Sequence, residues 1–116
     1  MKLADVADRV VIDPRKLTHY ALDPNSPSGR HKAVLFEKSL GFTKENYPAL
    51  VRQLEAKALQ AEANFHSEDE FGSRYRVDVV VEGVAGQQAT IRSGWIVPPH
   101  SRQAHLVTVY VKKDKK

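Results

Sequence analysis

The chain has 116 residues, 41% of them hydrophobic and 28% charged, which is enough for one domain with a core of its own. It has no cysteine, so a disulfide framework and a thiolate metal site are excluded, and no apolar run approaches the ~20 residues of a membrane span. The net charge is +4, but Lys112, Lys113, Lys115 and Lys116 against Asp114 supply most of it, leaving 14 basic and 13 acidic groups in residues 1–111. Such a body does not select nucleic acid by charge alone, although a lysine tail adds sequence-independent attraction to phosphate. The expected organisation is a single domain over 1–111 with a basic tail over 112–116. With no signal-peptide core at the start, the expected location is cytoplasmic.

Taken in chain order, Val10, Val11 and Ile12 predict a short edge strand or a packed arm. Asp13-Pro14 then opens a short helix over Arg15–Ala21, with the aspartate as cap and the proline at the first helical position. Asp23 to Gly29 is a turn-rich loop in which Ser26 is placed to cap the next helix. That helix, Arg30–Leu40, carries Ala33, Phe36 and Leu40 on one face and ends at Gly41. A third helix is predicted from Lys44 or Tyr47 to Asn64, capped by Thr43 or Asn46, with Pro48 confined to its first turn. His66–Gly72 reads as an acidic loop.

Strands follow. In Tyr75–Glu82, Ala89–Val97 and His105–Lys112 the odd positions are mostly apolar, among them Val77, Val79, Ile91, Trp95, Val107 and Val109. Even positions carry Arg76, Asp78, Thr90, Arg92, Thr108 and Tyr110. Because successive strand side chains point to opposite faces, this predicts a sheet with one core face and one polar face. The connections are Glu82–Gln87 and Pro98–Arg102. The fold class is α+β: N-terminal helices packed on one face of a C-terminal antiparallel sheet of three to four strands.

Two regions carry candidate chemistry. Arg30, His31 and Lys32 cluster at the start of a helix, where free N–H groups and the helix dipole favour an anion. On the polar sheet face, Arg92 is suited to clamp a phosphate, Thr108 to donate to a non-bridging oxygen, and Tyr110 to stack on a base or move a proton. On alternation alone these, with Thr90, are an ordinary wet face. Trp95 shares its parity with Ile91 and Val97 and is a core residue. His100 and His105 match no metal spacing, and Glu68-Asp69-Glu70 reads as solvated loop. The chemistry these residue types suit is RNA cleavage without metal, in which the 2′-hydroxyl attacks the adjacent phosphate and the protein supplies proton transfer and cationic support.

The stretch Tyr20-Ala21-Leu22-Asp23-Pro24-Asn25-Ser26-Pro27-Ser28-Gly29-Arg30-His31-Lys32-Ala33 resembles the opening signature of an uncharacterised bacterial, toxin-associated domain family, roughly "YLLDP-HP-GR-KA-FF". Ile91-Arg92-Ser93-Gly94-Trp95-Ile96 and Leu106-Val107-Thr108-Val109-Tyr110-Val111 resemble its second signature, a Trp strand followed by "LVTAYP". Members occur alone and at the C-terminal tips of large secreted toxins, and the resemblance spans residues 10–111. Helices followed by a sheet ending in a Thr-x-Tyr strand are similar, at fold level, to the barnase–EndoU–colicin–RelE group of ribonucleases. The resemblance implies Arg30 and Lys32 from the first signature and Arg92, Thr108 and Tyr110 from the second. His31 stands where members carry another polar residue, and Val111 replaces a proline.

The resulting expectation is a metal-independent endoribonuclease-like toxin domain. His31, Lys32, Arg92, Thr108 and Tyr110 are its catalytic candidates, and Arg30 and Thr90 its substrate-binding ones. RNA is the substrate and a small acidic antitoxin or immunity protein the partner, with no cofactor. The alternative is a non-catalytic protein- or RNA-binding module of a toxin–antitoxin-like operon.

Overall fold

The structure is a computed structural model that describes residues 1–27 and 29–112; Ser28 and positions 113–116 of the basic tail lie outside the described residues. The elements in chain order are strand β1 (Arg9–Val11), a single wide helical turn (Leu17–Ala21), helix α1 (Arg30–Leu40), helix α2 (Tyr47–Lys57), and strands β2 (Ala63–Asp69), β3 (Gly72–Glu82), β4 (Gln88–Val97) and β5 (Gln103–Val111). The five strands form one sheet in the order β1-β5-β4-β3-β2. The class is α+β as expected, but the sheet has five strands instead of three to four. It is also mixed rather than antiparallel, because β1 runs parallel to β5.

Local chemistry explains each helix. Asp13 accepts a hydrogen bond from the Arg15 N–H at 3.0 Å and starts the first turn, which closes with the wide bond from the Leu22 N–H to the Leu17 carbonyl at 2.8 Å. The Ser26 hydroxyl accepts from the Gly29 N–H at 3.1 Å just before α1. Gly41 ends α1 in the left-handed region at φ 75°, with its N–H bonded to the Glu37 carbonyl at 2.9 Å. Pro48 lies in the first turn of α2, where its missing N–H costs nothing.

The third helix is shorter than its periodicity predicts. It passes into a tight turn at Ala58–Gln60, and the chain from Ala63 to Asp69 is edge strand β2 instead of helix end and acidic loop. β2 was illegible because almost all of it is exposed, so no alternation marks it. Pairing holds it instead: its backbone follows β3, and Phe65 stacks edge-on against Tyr75 with ring centroids 5.9 Å apart.

The core lies between the helices and one sheet face. Phe36 and Leu40 of α1 and Leu50 and Leu54 of α2 are buried in the same cluster as Val77, Val81, Ile91, Trp95, Val109 and Val111. Val107 departs from the predicted core face. The β4–β5 register pairs Gly94 with Thr108 but Trp95 with Leu106, so Val107 is a bulge. Leu106 takes the buried place at 3% exposure, and Val107 is pushed out at 39%.

Candidate functional site

The polar sheet face is organised by two rungs. One reads Arg76–Gly94–Thr108 across β3, β4 and β5, and the next reads Asp78–Arg92–Tyr110. Gly94 has no side chain, so the middle of the first rung is a depression walled by its neighbours. A Cβ there would lie 3.1 Å from the Thr108 methyl group. The depression is a cavity of about 300 Å³ lined by Arg74, Arg76, Arg92, Thr108 and Tyr110, with His66 of β2 on its rim.

Its cations differ in how far they are already engaged. Arg92 grips Asp78 through two parallel bonds, Nε at 2.9 Å and Nη2 at 3.1 Å, and Asp78 also accepts from the Lys112 ammonium at 3.3 Å. The Arg92 hydrogen bonds, helped by those of Lys112, hold the Asp78 carboxyl below the usual carboxylate range despite partial burial. Asp78 in turn raises the Arg92 pKa, with a smaller contribution from the Tyr110 hydroxyl. Arg74 is paired with Asp69 at 2.8 Å. Arg76 is exposed and makes no ion pair among the described residues.

The second half of the site comes from the helices. β1 covers β5 only as far as His105, and beyond it the Leu17–Ala21 turn and α1 pack against the strand. Lys32 on the first turn of α1 donates to the Tyr20 hydroxyl at 2.7 Å and to Thr108 Oγ1 at 3.4 Å. Its ammonium stands 4.4 Å from the Tyr20 ring centroid and 5.5 Å from that of Tyr110. Gly29 makes this approach possible, because a Cβ there would lie 2.0 Å from the Tyr20 carbonyl oxygen. The "GR-K" spacing therefore works mechanically: the glycine lets α1 start against Tyr20, and Lys32, three residues on, meets the sheet.

Among the sequence-predicted residues, Lys32, Arg92, Thr108 and Tyr110 converge. Arg30 and His31 are exposed on α1 and, unlike Lys32, make no side-chain hydrogen bond to Tyr20 or Thr108; none of the three lines either cavity at Thr108. Thr90 shares the face of Arg92 but stands one rung further along, where its carbonyl accepts from the Lys112 N–H at 2.9 Å. Sequence reasoning missed Tyr20, Arg74, Arg76 and His66 as site residues. Arg76 already stands on the polar face of the predicted alternation without a role, and extending that alternation back two residues adds Arg74. Tyr20 had only its place at the head of the first signature. Among the described residues no cluster of three His, Asp or Glu side chains could hold a metal ion.

An α+β sheet protein whose polar face meets a helix start over a cationic depression is thus the class that the fold and site define. The chain belongs to the family described as a domain of unknown function, DUF6883, which matches residues 2–113. No curated protein matches it significantly in sequence. In fold it is similar to a chain of the contact-dependent growth inhibition toxin–immunity protein complex from Klebsiella pneumoniae 342, at a TM-score of 0.69 and 15% identity. The likeness covers 97% of this chain and 98% of that one. Among the described residues, no helix is long and apolar enough to cross a membrane.

Proposed function

We propose that the chain is a toxin-type endoribonuclease domain whose centre is the junction of Lys32, Thr108 and Tyr110. The observation that carries this reading is the 3.4 Å approach of the Lys32 ammonium to Thr108, flanked by Tyr20 and Tyr110. A phosphodiester laid over Thr108 meets a hydroxyl donor, an ammonium and two phenols in one place. Attack of the 2′-oxygen on phosphorus forms one P–O bond and breaks the bond to the 5′-oxygen, leaving a 2′,3′-cyclic phosphate and a 5′-hydroxyl. Solvent water takes the proton that the 2′-hydroxyl loses and Lys32 supplies the one that the 5′-oxygen gains, so the protons balance and no oxidant or reductant is needed. Lys32 supports the phosphorane and protonates the leaving oxygen, Thr108 and Tyr110 position the phosphate, and Arg76 and Arg92 hold the strand.

An immunity-type partner follows from the same reading, supported by the toxin–immunity complex that the fold resembles. An acidic protein covering the depression would replace RNA phosphate at Arg76 and Lys32. A second reading, a binding module without catalysis, is favoured by one observation: Asp78 already neutralises Arg92. Inducing the wild type beside Lys32→Ala and Tyr110→Phe, and scoring growth with total-RNA integrity, separates the two. Wild-type RNA damage that both variants lose supports cleavage, and intact RNA in all three leaves the binding module.

A further inference from the structure

Thr108 borders two cavities. The second, about 600 Å³, is lined by the Asp13–Arg15 pair, Lys16, His19 and Tyr20, and shares Val107 and Thr108 with the first. Asp13 does not repel an anion there as a free carboxylate would. Arg15 grips it through Nη2 at 2.8 Å and Nε at 3.2 Å, while the Arg15 N–H donates to it at 3.0 Å. Those bonds hold the Asp13 carboxyl down to about 2. Lys16 and His19 are exposed, and their side chains have no hydrogen-bond partner among the described residues. Between the cavities stands Val107, the bulge residue turned out of the core. A single strand laid across Val107 has a hollow with cationic side chains on either side for its backbone, the electrostatic part of single-strand recognition, while Val107 offers a base apolar contact.

We infer that the second cavity is a flanking subsite for the same single RNA strand. The strand crosses Val107 and Thr108, and Lys16 and His19 hold the phosphate next to the one attacked. This rests on the reading of the Lys32–Thr108 junction as the point of cleavage. It adds that a dinucleotide is too short to engage the whole site.

The test is binding of fluorescein-labelled 2′-O-methyl oligonucleotides, which cannot be cut, to the full chain. Two, four and six residues are compared by anisotropy. Affinity should rise at least about fivefold from dimer to tetramer in the wild type. In Lys16→Ala/His19→Ala that gain should vanish with dimer affinity unchanged, and the salt slope should fall by about 0.7 for the lost lysine contact. A tetramer that binds no tighter than a dimer, or a double variant that keeps the gain, overturns the subsite. So does a duplex hexamer that binds as well as the single strand. If the length gain holds while ordinary RNA stays uncut, the cleavage reading fails and the subsite stands.

Discussion

The two faces of β4 are built from alternate residues of one strand, yet they treat polar groups in opposite ways. On the core face the polar groups form a closed chain: Trp95 Nε1 donates to the Ser93 hydroxyl at 2.8 Å, which donates to the Val77 carbonyl at 2.7 Å. Ser93 and Trp95 are almost wholly buried, and nothing is left over for a ligand. On the other face Gly94 withholds a side chain and Arg76 has no acidic partner among the described residues, so donors exceed acceptors. A polar face becomes a site where its hydrogen-bonding capacity is left unspent, and parity alone does not reveal that.

The largest effects should come from breaking the closed face. Trp95→Ala and Phe36→Ala each empty a fully buried aromatic position and should cost about 3–5 kcal/mol in denaturant unfolding. Ser93→Ala strands the Trp95 N–H in the core and should cost about 1–3 kcal/mol, more than its small volume change explains.

On the open face the same size of substitution should act on function and spare the fold. Lys32→Ala should lower RNA cleavage by about 10²-fold or more while its unfolding midpoint stays near wild type. Gly94→Val fills the depression and pushes on Thr108, and should weaken oligonucleotide binding about tenfold in the anisotropy assay. The smallest effect concerns Asp78. Asp78→Asn frees the Arg92 fork and should strengthen binding a few-fold, with a steeper salt dependence.

The same residue sets a pH test. Its folded pKa is depressed, so its contribution to stability is present above the unfolded value of about 3.9 and is lost as pH falls through the lower folded value. Thermal melts of the wild type should lose stability below about pH 4, and Asp78→Asn should lose less over that window.

The parts of this contrast legible in the sequence are those with local signals. α1 was predicted from Arg30 to Leu40, where the structure has it, because Gly41 and the Ala33–Phe36–Leu40 stripe mark it. The alternation in β3 and β4 separated Val77, Ile91 and Trp95 from Arg76, Asp78 and Arg92. The bulge at Val107 was hidden, since it depends on how β5 meets Gly94 and Trp95 and on nothing in β5 itself. β2 was hidden because an exposed edge strand needs no apolar period. Tyr20 lies 12 residues from Lys32, and only the close start of α1 at Gly29 brings them together. Arg92 was correctly placed on the polar face, but its two bonds to Asp78 make it a tethered cation and leave Arg76 freer to meet a ligand.

The most direct test of the central claim uses a DNA oligonucleotide carrying one ribonucleotide, incubated with the purified chain in EDTA. A single cut 3′ to that ribonucleotide is expected, with a 2′,3′-cyclic phosphate on one product and a 5′-hydroxyl on the other. The cut should disappear in Lys32→Ala and in the all-deoxy control. An uncut oligonucleotide at excess wild-type protein, or cutting undiminished in folded Lys32→Ala, would contradict it.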